Sequence, residues 1–314
     1  MAAPSRRERA AKSNLKPFAA TLVACDGPPR WVAACVLFCF VLGSIAWIGW
    51  DIASLRGPAL DASWAEFARV VCAWFVLNVA LCLFLGVLDA RAPGDDTRAA
   101  ARFRAYPLFS WLTPGVQQLV FFWPAALYLF CAWLGQALSA GACAARPPFE
   151  GALMAHCGPS LCGMQLRELL LFRSDKMMTA HHVVTMTLAA LAWRALVSGP
   201  DDCQWALATT AATAAMEAGS LGCVAWAVSG GGTTLWRAAY VAAMVGSHAM
   251  VLATGCVGHV ARRPGRWEGW VVFGATLPLM YMRHAYMVAE LRAGAASGVF
   301  VAGAGDEERR EKGA

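Results

Sequence analysis

The chain has 314 residues, of which 59% are hydrophobic and only 15% are charged. Soluble domains carry about 45–50% apolar and about 25% charged residues, so this composition excludes an ordinary soluble domain and predicts a polytopic membrane protein. The formal net charge of +6 does not predict nucleic-acid binding, because the basic residues flank apolar segments instead of lining one face. The 12 cysteines lie mostly in apolar segments without metal-ligand spacing, which predicts small buried hydrophobes and neither a metal nor a cofactor.

Apolar segments of membrane-spanning length follow one another along most of the chain. We predict an all-α, polytopic transmembrane helical bundle of about eight spans, with seven as the alternative. The predicted spans are Trp31–Trp50, about Ala68–Leu88, about Val116–Ala140, Ala152–Phe172, Met177–Val197, about Gln204–Ser229, about Trp236–His259 and about Trp270–Leu291.

The same pattern divides the chain into four parts. Residues 1–30 form a basic cytosolic tail that is disordered or lies on the surface, and residues 31–100 hold two spans and a cytosolic loop. Residues 101–292 form a multi-span domain, and residues 293–314 form a charged cytosolic tail. The sequence carries no signal for an oligomeric state.

The fourth predicted span decides the topology, and it is the most polar of the set. It contains a histidine, a glutamine, Arg167 and Glu168 within an otherwise apolar segment. With eight spans both termini face the cytosol, but three arginines at 262–266 then face the other side, against the usual charge rule. Without the fourth span, the three arginines at 262–266 face the cytosol, but the Arg173–Lys176 segment then lies on the other side of the membrane.

Two adjacent histidines, His181 and His182, lie about one turn inside the fifth predicted span, after the charged segment 173–176. Ionisable side chains are costly at that depth in a bilayer, which makes the pair a candidate functional site. At about 100° per residue the two rings point in different directions, and His181 shares its face with Thr185. One ring can therefore face a cavity while the other hydrogen-bonds to a partner helix; the alternative is a pair of satisfied helix-packing histidines.

Other ionisable residues occur at comparable depth in neighbouring spans. Arg167 and Glu168 lie beside the two histidines if the fourth and fifth spans form an antiparallel hairpin. The alternative to a functional site is a structural ion pair between Glu217 and Arg283 or a histidine, because intramembrane charges usually pair with each other. These residues are Arg167, Glu168, Glu217, His248, Arg283 and His284.

The pattern Asp175-x-Met177/Met178-x-x-His181-His182-x-x-Thr185 resembles the signature of the TLC-domain family of membrane proteins, which includes the ceramide synthases. The resemblance is strongest over Arg173–Trp193 and extends weakly across about Leu153–Arg292. It places Glu217 where the family often has a glutamate in the following span. The resemblance implies an integral protein of the endoplasmic reticulum.

The chain departs from the ceramide synthases in the sixth predicted span. Those enzymes carry a His-Asp pair eight and seven residues before that glutamate and a further Asp four residues before it. In this chain the three positions are threonines, which makes it similar to the non-synthase members linked to lipid sensing, trafficking or membrane composition. The three residues are Thr209, Thr210 and Thr213.

The resemblance therefore implies an intramembrane lipid-binding cavity that acts in lipid homeostasis, sensing or trafficking, with membrane lipids as partners. His181, His182 and Glu217 would contact a lipid headgroup there or hold the helices together. The alternative is an N-acyltransferase with acyl-CoA as substrate, in which His181 and His182 are catalytic and Glu217 receives a proton. The candidate lipid- or acyl-CoA-binding residues are Arg173, Asp175, Lys176, Thr185, Arg167, Glu168, His248, Arg283 and His284.

A membrane cytochrome of the b type is a further alternative with weaker support. His248 and His259 share one helix face, roughly 16 Å apart along the axis. Two stacked haems need histidines at matching heights on one partner helix, and the adjacent pair His181-His182 does not supply them. A retinal protein is disfavoured because its Schiff base needs a lysine deep inside a span, and Lys176 lies at a boundary.

Overall fold

The computed structural model describes residues 15–24, 28–54, 64–88, 108–138, 148–173, 176–197, 203–229, 234–255 and 267–296. These residues are helical apart from short turns and an isolated backbone bridge between Leu15 and Phe172, so the all-α prediction is confirmed for them. The α-helices in this part of the chain are α1 (Pro17–Val23), α2 (Pro28–Ala53), α3 (Trp64–Leu88), α4 (Leu108–Gln117), α5 (Trp123–Leu138), α6 (Pro148–Leu171), α7 (Lys176–Val197), α8 (Cys203–Ser229), α9 (Thr234–Ala253) and α10 (Trp267–Ala296).

Four helical segments within the described ranges are long and apolar enough to cross a membrane, by length and composition. They coincide with the first, second, third and seventh predicted spans, and they are compatible with an integral membrane protein. The total of eight spans stays a prediction. The four segments are Pro29–Ala53, Trp64–Leu88, Phe109–Leu138 and Thr234–Ala253.

The more polar helices α6 and α8 lie in the interior of the bundle. Every residue from 150 to 165 in α6 is buried. Helix α8 packs against α4, α5, α6, α7 and α9, which surround it. A helix enclosed by protein does not need an apolar surface for lipid, so it can carry Glu, Gln, Thr and His. This explains why the fourth predicted span is the most polar one.

The outer surface of the bundle is apolar. Trp31, Trp50, Leu138, Leu235 and Tyr281 are each more than 60% exposed. An apolar surface of this extent is typical of a protein embedded in lipid. The prediction that the cysteines are buried is wrong for four of them, which lie on this outer surface: Cys35, Cys39, Cys72 and Cys131.

The third predicted span begins earlier than the sequence indicates. Helices α4 and α5 are continuous through a π-helical turn at Gln118–Phe122, so residues 108–115 belong to the span and not to a cytosolic connection. Pro124 follows the turn and lacks the N–H that an α-helix would donate to Val120. The chain adopts the wider register instead, with the Trp123 backbone N–H donating to the Gln118 carbonyl.

Residues 15–24 differ from the disordered or surface-lying segment that the sequence predicts. Helix α1 packs against α3. The Lys16 backbone N–H donates to the Leu171 carbonyl at 2.8 Å, and its Nζ donates to the Leu169 carbonyl at 2.6 Å. These bonds satisfy carbonyls at the C-terminal end of α6 that have no partner within the helix. The buried side chains of the segment are Leu15, Ala19 and Val23.

Close approach of α6 to α3 depends on Gly163. A Cβ at this position would lie 2.7 Å from the Phe75 nitrogen and 2.8 Å from the Trp74 backbone. Small residues allow such contacts between membrane helices. We expect Gly163→Ala to lower the free energy of unfolding by about 1–3 kcal/mol through overpacking, as measured by thermal unfolding in detergent.

Gly135 supplies a matched control, because nothing lies within 4 Å of a Cβ built there. Gly135→Ala should raise stability slightly, since alanine favours a helix by about 0.5–1 kcal/mol over glycine. Equal unfolding temperatures for the two variants would contradict the packing of α6 on α3.

Candidate functional site

A cluster of polar side chains joins α8 to α10 in the middle of both helices. Helix α10 packs against α7 and α9, and the half-buried side chain of Arg283 reaches across to α8. Its Nη2 donates to the Ser220 hydroxyl, and its Nη1 lies 3.7 Å from the Met216 sulfur. Met216 and Ser220 are four residues apart and share one face of α8. That face therefore looks towards α10.

Glu217 lies on a different face of α8, about 100° around from Met216. It is 5% exposed and accepts a hydrogen bond from the side-chain amide of Gln118, in the π-helical turn. The salt bridges within the described ranges join other groups. Glu217 and Arg283 interact electrostatically. They do not form the direct ion pair that the sequence offered as an alternative.

The two adjacent histidines point in different directions from α7, as the turn of about 100° between neighbouring helical residues predicts. His182 is 3% exposed, and neither of its ring nitrogens has a hydrogen-bond partner among the described residues. His181 is half-buried, its ring centroid 5.6 Å from that of His182, and it lies within electrostatic range of Arg283. The predicted hydrogen bond from one histidine to a partner helix is not made within this part of the chain.

His248 of α9 and His284 of α10 form a second imidazole pair. Their Nδ1 atoms are 2.7 Å apart, and His284 Nδ1 also lies 3.3 Å from the Met280 carbonyl. A carbonyl only accepts, so the proton belongs on His284 Nδ1 and His248 Nδ1 is the acceptor. His248 then carries its own proton on Nε2, which is buried and has no partner among the described residues.

Arg167 and Glu168 are paired with each other at the C-terminal end of α6, apart from the cluster around Arg283. The Arg167 side chain is completely buried. Its Nη1 donates to the Ser110 carbonyl of α4 at 3.4 Å, and its guanidinium lies 5.8 Å from the Phe172 ring centroid. Arg167 is also within electrostatic range of His182. The Arg167–Glu168 pair therefore links α6 to α4 close to His182.

The remaining predicted site residues lie at the start of α7 or outside the described residues. Thr185 donates to the His181 carbonyl of its own helix at 2.6 Å, and Arg173 is exposed just after α6. Lys176 begins α7, whereas Asp175 and His259 fall outside the described residues. The structure thus brings together His181, Glu217, His248, Arg283 and His284, with the His182 ring beside that of His181.

Sequence reasoning missed a buried network that links α2, α3 and α6. The Trp74 indole N–H donates to His156 Nδ1 at 3.1 Å, and His156 Nε2 lies 3.1 Å from Asp51 Oδ2. Because Nδ1 accepts from the indole, the neutral ring carries its proton on Nε2 and donates it to the carboxylate. Arg69 also bonds to Asp51, at 3.1 Å, and it covers the Trp47 ring.

Two signals in the sequence point to this network. Asp51 and Arg69 flank one connection between consecutive spans, so an antiparallel hairpin brings them to the same end of the bundle. His156 lies in the polar fourth span, where a buried imidazole needs partners. The first predicted span ends at Trp50, but α2 continues to Ala53, so Asp51 lies in its last turn.

Comparisons of the chain with protein-family models, with curated proteins and with solved structures find no match. The TLC-domain resemblance therefore stays a prediction based on the motif around the histidines. Function has to be argued from the chemistry of the site itself.

Removal of His156 should destabilise the fold, because His156→Leu leaves the Trp74 N–H without its acceptor and removes one of the two donors to Asp51 Oδ2. We expect the free energy of unfolding to fall by about 1–3 kcal/mol, as measured by thermal unfolding in detergent. His182→Leu is the control, since His182 makes no hydrogen bond within the described residues and its loss should leave stability unchanged or raise it. A larger loss for His182→Leu than for His156→Leu would contradict this assignment.

Proposed function

We propose that this is a multi-pass membrane protein that binds a membrane lipid at the polar cluster between α7 and α10 and acts in lipid homeostasis, sensing or trafficking. The observation that carries this proposal is the burial of His182 with two unpartnered ring nitrogens. A buried polar group without a hydrogen bond costs about 1–3 kcal/mol. A chain that retains such a group gains something by it, and a bound amphiphile supplies the missing partner.

The surface beside the histidines suits an acyl chain. Val183 and Val184 follow the histidine pair on α7 and are 51% and 37% exposed. On α10, Tyr281 and Met282 precede Arg283 and are 76% and 39% exposed. A ligand with a polar headgroup among the polar side chains and its chain along these apolar residues would satisfy both surfaces.

The threonines of α8 favour lipid binding over acyl transfer. Thr209, Thr210 and Thr213 occupy the positions of the acidic and imidazole groups of the ceramide synthases. Their hydroxyls donate to carbonyls four residues earlier in the same helix, at 2.7–2.9 Å. A threonine hydroxyl is a poor acid or base at neutral pH, so α8 offers little for proton transfer at these positions. This supports a place among non-synthase TLC-domain proteins, with the endoplasmic reticulum as the corresponding location.

The test compares the lipid bound to the purified full chain with that bound to the double variant His181→Ala/His182→Ala. We expect mass spectrometry of the purified protein to show at least about a tenfold loss of bound lipid, because headgroup contacts of about 1.4 kcal/mol or more disappear. Thr187→Ala is the matched control: Thr187 is exposed on the same helix and bonds only to its own backbone among the described residues. Equal lipid content in the double variant and its parent would contradict the proposal.

A second measurement separates binding from catalysis. Membranes containing the unmutated protein are supplied with acyl-CoA and a sphingoid base, and N-acylated product is measured. We expect product to stay at the level of membranes without the protein. Product formation that disappears in the double histidine variant would replace the binding proposal with the acyltransferase alternative.

A further inference from the structure

Arg283, in the eighth predicted span, has no carboxylate partner among the described residues. A guanidinium has five N–H donors, and here they meet one hydroxyl and one thioether, those of Ser220 and Met216. The thioether is a weak acceptor. Charged groups away from water are normally paired with an opposite charge. The half-buried guanidinium is therefore left with unused donors and an uncompensated charge in its immediate surroundings.

The geometry of α8 keeps the Glu217 carboxylate from pairing directly with Arg283. Met216 and Ser220 lie on the face towards α10, while Glu217 is turned about 100° to the side. There it accepts from Gln118, whose amide is held by the π-helical turn. Glu217 lowers the overall charge of the region but does not occupy the donors of the guanidinium.

The side chains near Arg283 add further donors. His181 and His248 are both within electrostatic range of it. His248 carries its proton on Nε2, a buried donor without a partner among the described residues. The imidazoles of α7 and α9 thus lie near the guanidinium of α10, and a cation with neighbouring N–H donors is an arrangement that binds an oxyanion.

We propose that Arg283 anchors the anionic headgroup of a membrane lipid, a phosphate or carboxylate group, with His248 and His181 as neighbouring donors. This inference rests on the proposed lipid-binding function and names its ligand class. We expect the anionic group to belong to a lipid and not to a soluble anion, because Arg283 lies in the middle of α10, which contains the eighth predicted span. The apolar residues near it on that helix are exposed on the outer surface: Leu277, Tyr281 and Met282.

The test measures binding of defined lipids to the full chain in detergent micelles, by displacement of a fluorescent fatty acid. The competitors are phosphatidic acid, oleate, uncharged diacylglycerol and inorganic phosphate. We expect phosphatidic acid or oleate to bind at least about tenfold more tightly than diacylglycerol. Inorganic phosphate at millimolar concentration should not displace the probe; displacement by phosphate alone would overturn the lipid assignment.

Variants at position 283 test the anchor directly. Arg283→Gln should weaken binding of the anionic lipids at least about tenfold and leave diacylglycerol binding unchanged. Arg283→Lys keeps the charge and should retain part of the preference, which separates loss of the anchor from loss of the fold. Arg292→Gln is the matched control, because Arg292 is exposed on the same helix, and it should bind like the parent.

The outcomes distinguish a failure of the Arg283 anchor from a failure of the proposed lipid-binding function. If Arg283→Gln and Arg283→Lys both keep the full preference for anionic lipids, the anchor assignment is wrong although lipid binding stands. If the parent binds neutral and anionic lipids equally, the ligand class is wrong. If no lipid binds and the double histidine variant matches its parent, the proposed function itself fails.

Discussion

Everything in this bundle depends on one constraint: a polar group inside an apolar surround must find its partner within the protein or in a bound ligand. The polar helices α6 and α8 satisfy it by lying in the interior, where protein surrounds them on most sides. His156 meets Asp51 and Trp74 there, and Arg167 meets Glu168. These networks join α2, α3, α4 and α6 and turn polar residues into contacts between helices.

Three side chains in one part of the bundle do not meet this constraint within the described residues. His182 has no partner on either nitrogen, and His248 has none on Nε2, within the described residues. Arg283 has a hydroxyl and a thioether in place of a carboxylate. These side chains come from α7, α9 and α10. Helix α10 contacts both α7 and α9, and each of those two helices also contacts α8. Unpartnered buried donors beside an unpaired cation are groups that a bound ligand can satisfy.

Hydropathy predicts which residues form helices, because the apolar segments are long and the breaks between them are polar. It does not predict which helices lie in the interior, and so it leaves α6 as the least certain span. The sequence also places Glu217 and Arg283 at similar depth, but not the rotation that turns Glu217 towards Gln118. That rotation depends on packing against the π-helical turn before Pro124, a change of helical register that hydropathy does not predict. The Asp51–His156–Trp74 network was missed because it joins α6 to the α2–α3 hairpin, and His156 lies 105 residues from Asp51 in the sequence.

The most direct test of this account is an experimental structure of the protein in a lipid nanodisc, at a resolution that shows bound lipid. We expect density for an anionic headgroup within hydrogen-bond distance of Arg283 and the His248 ring, with its chain along α10. A direct Arg283–Glu217 salt bridge, together with His182 hydrogen-bonded to protein and no lipid between α7 and α10, would contradict it.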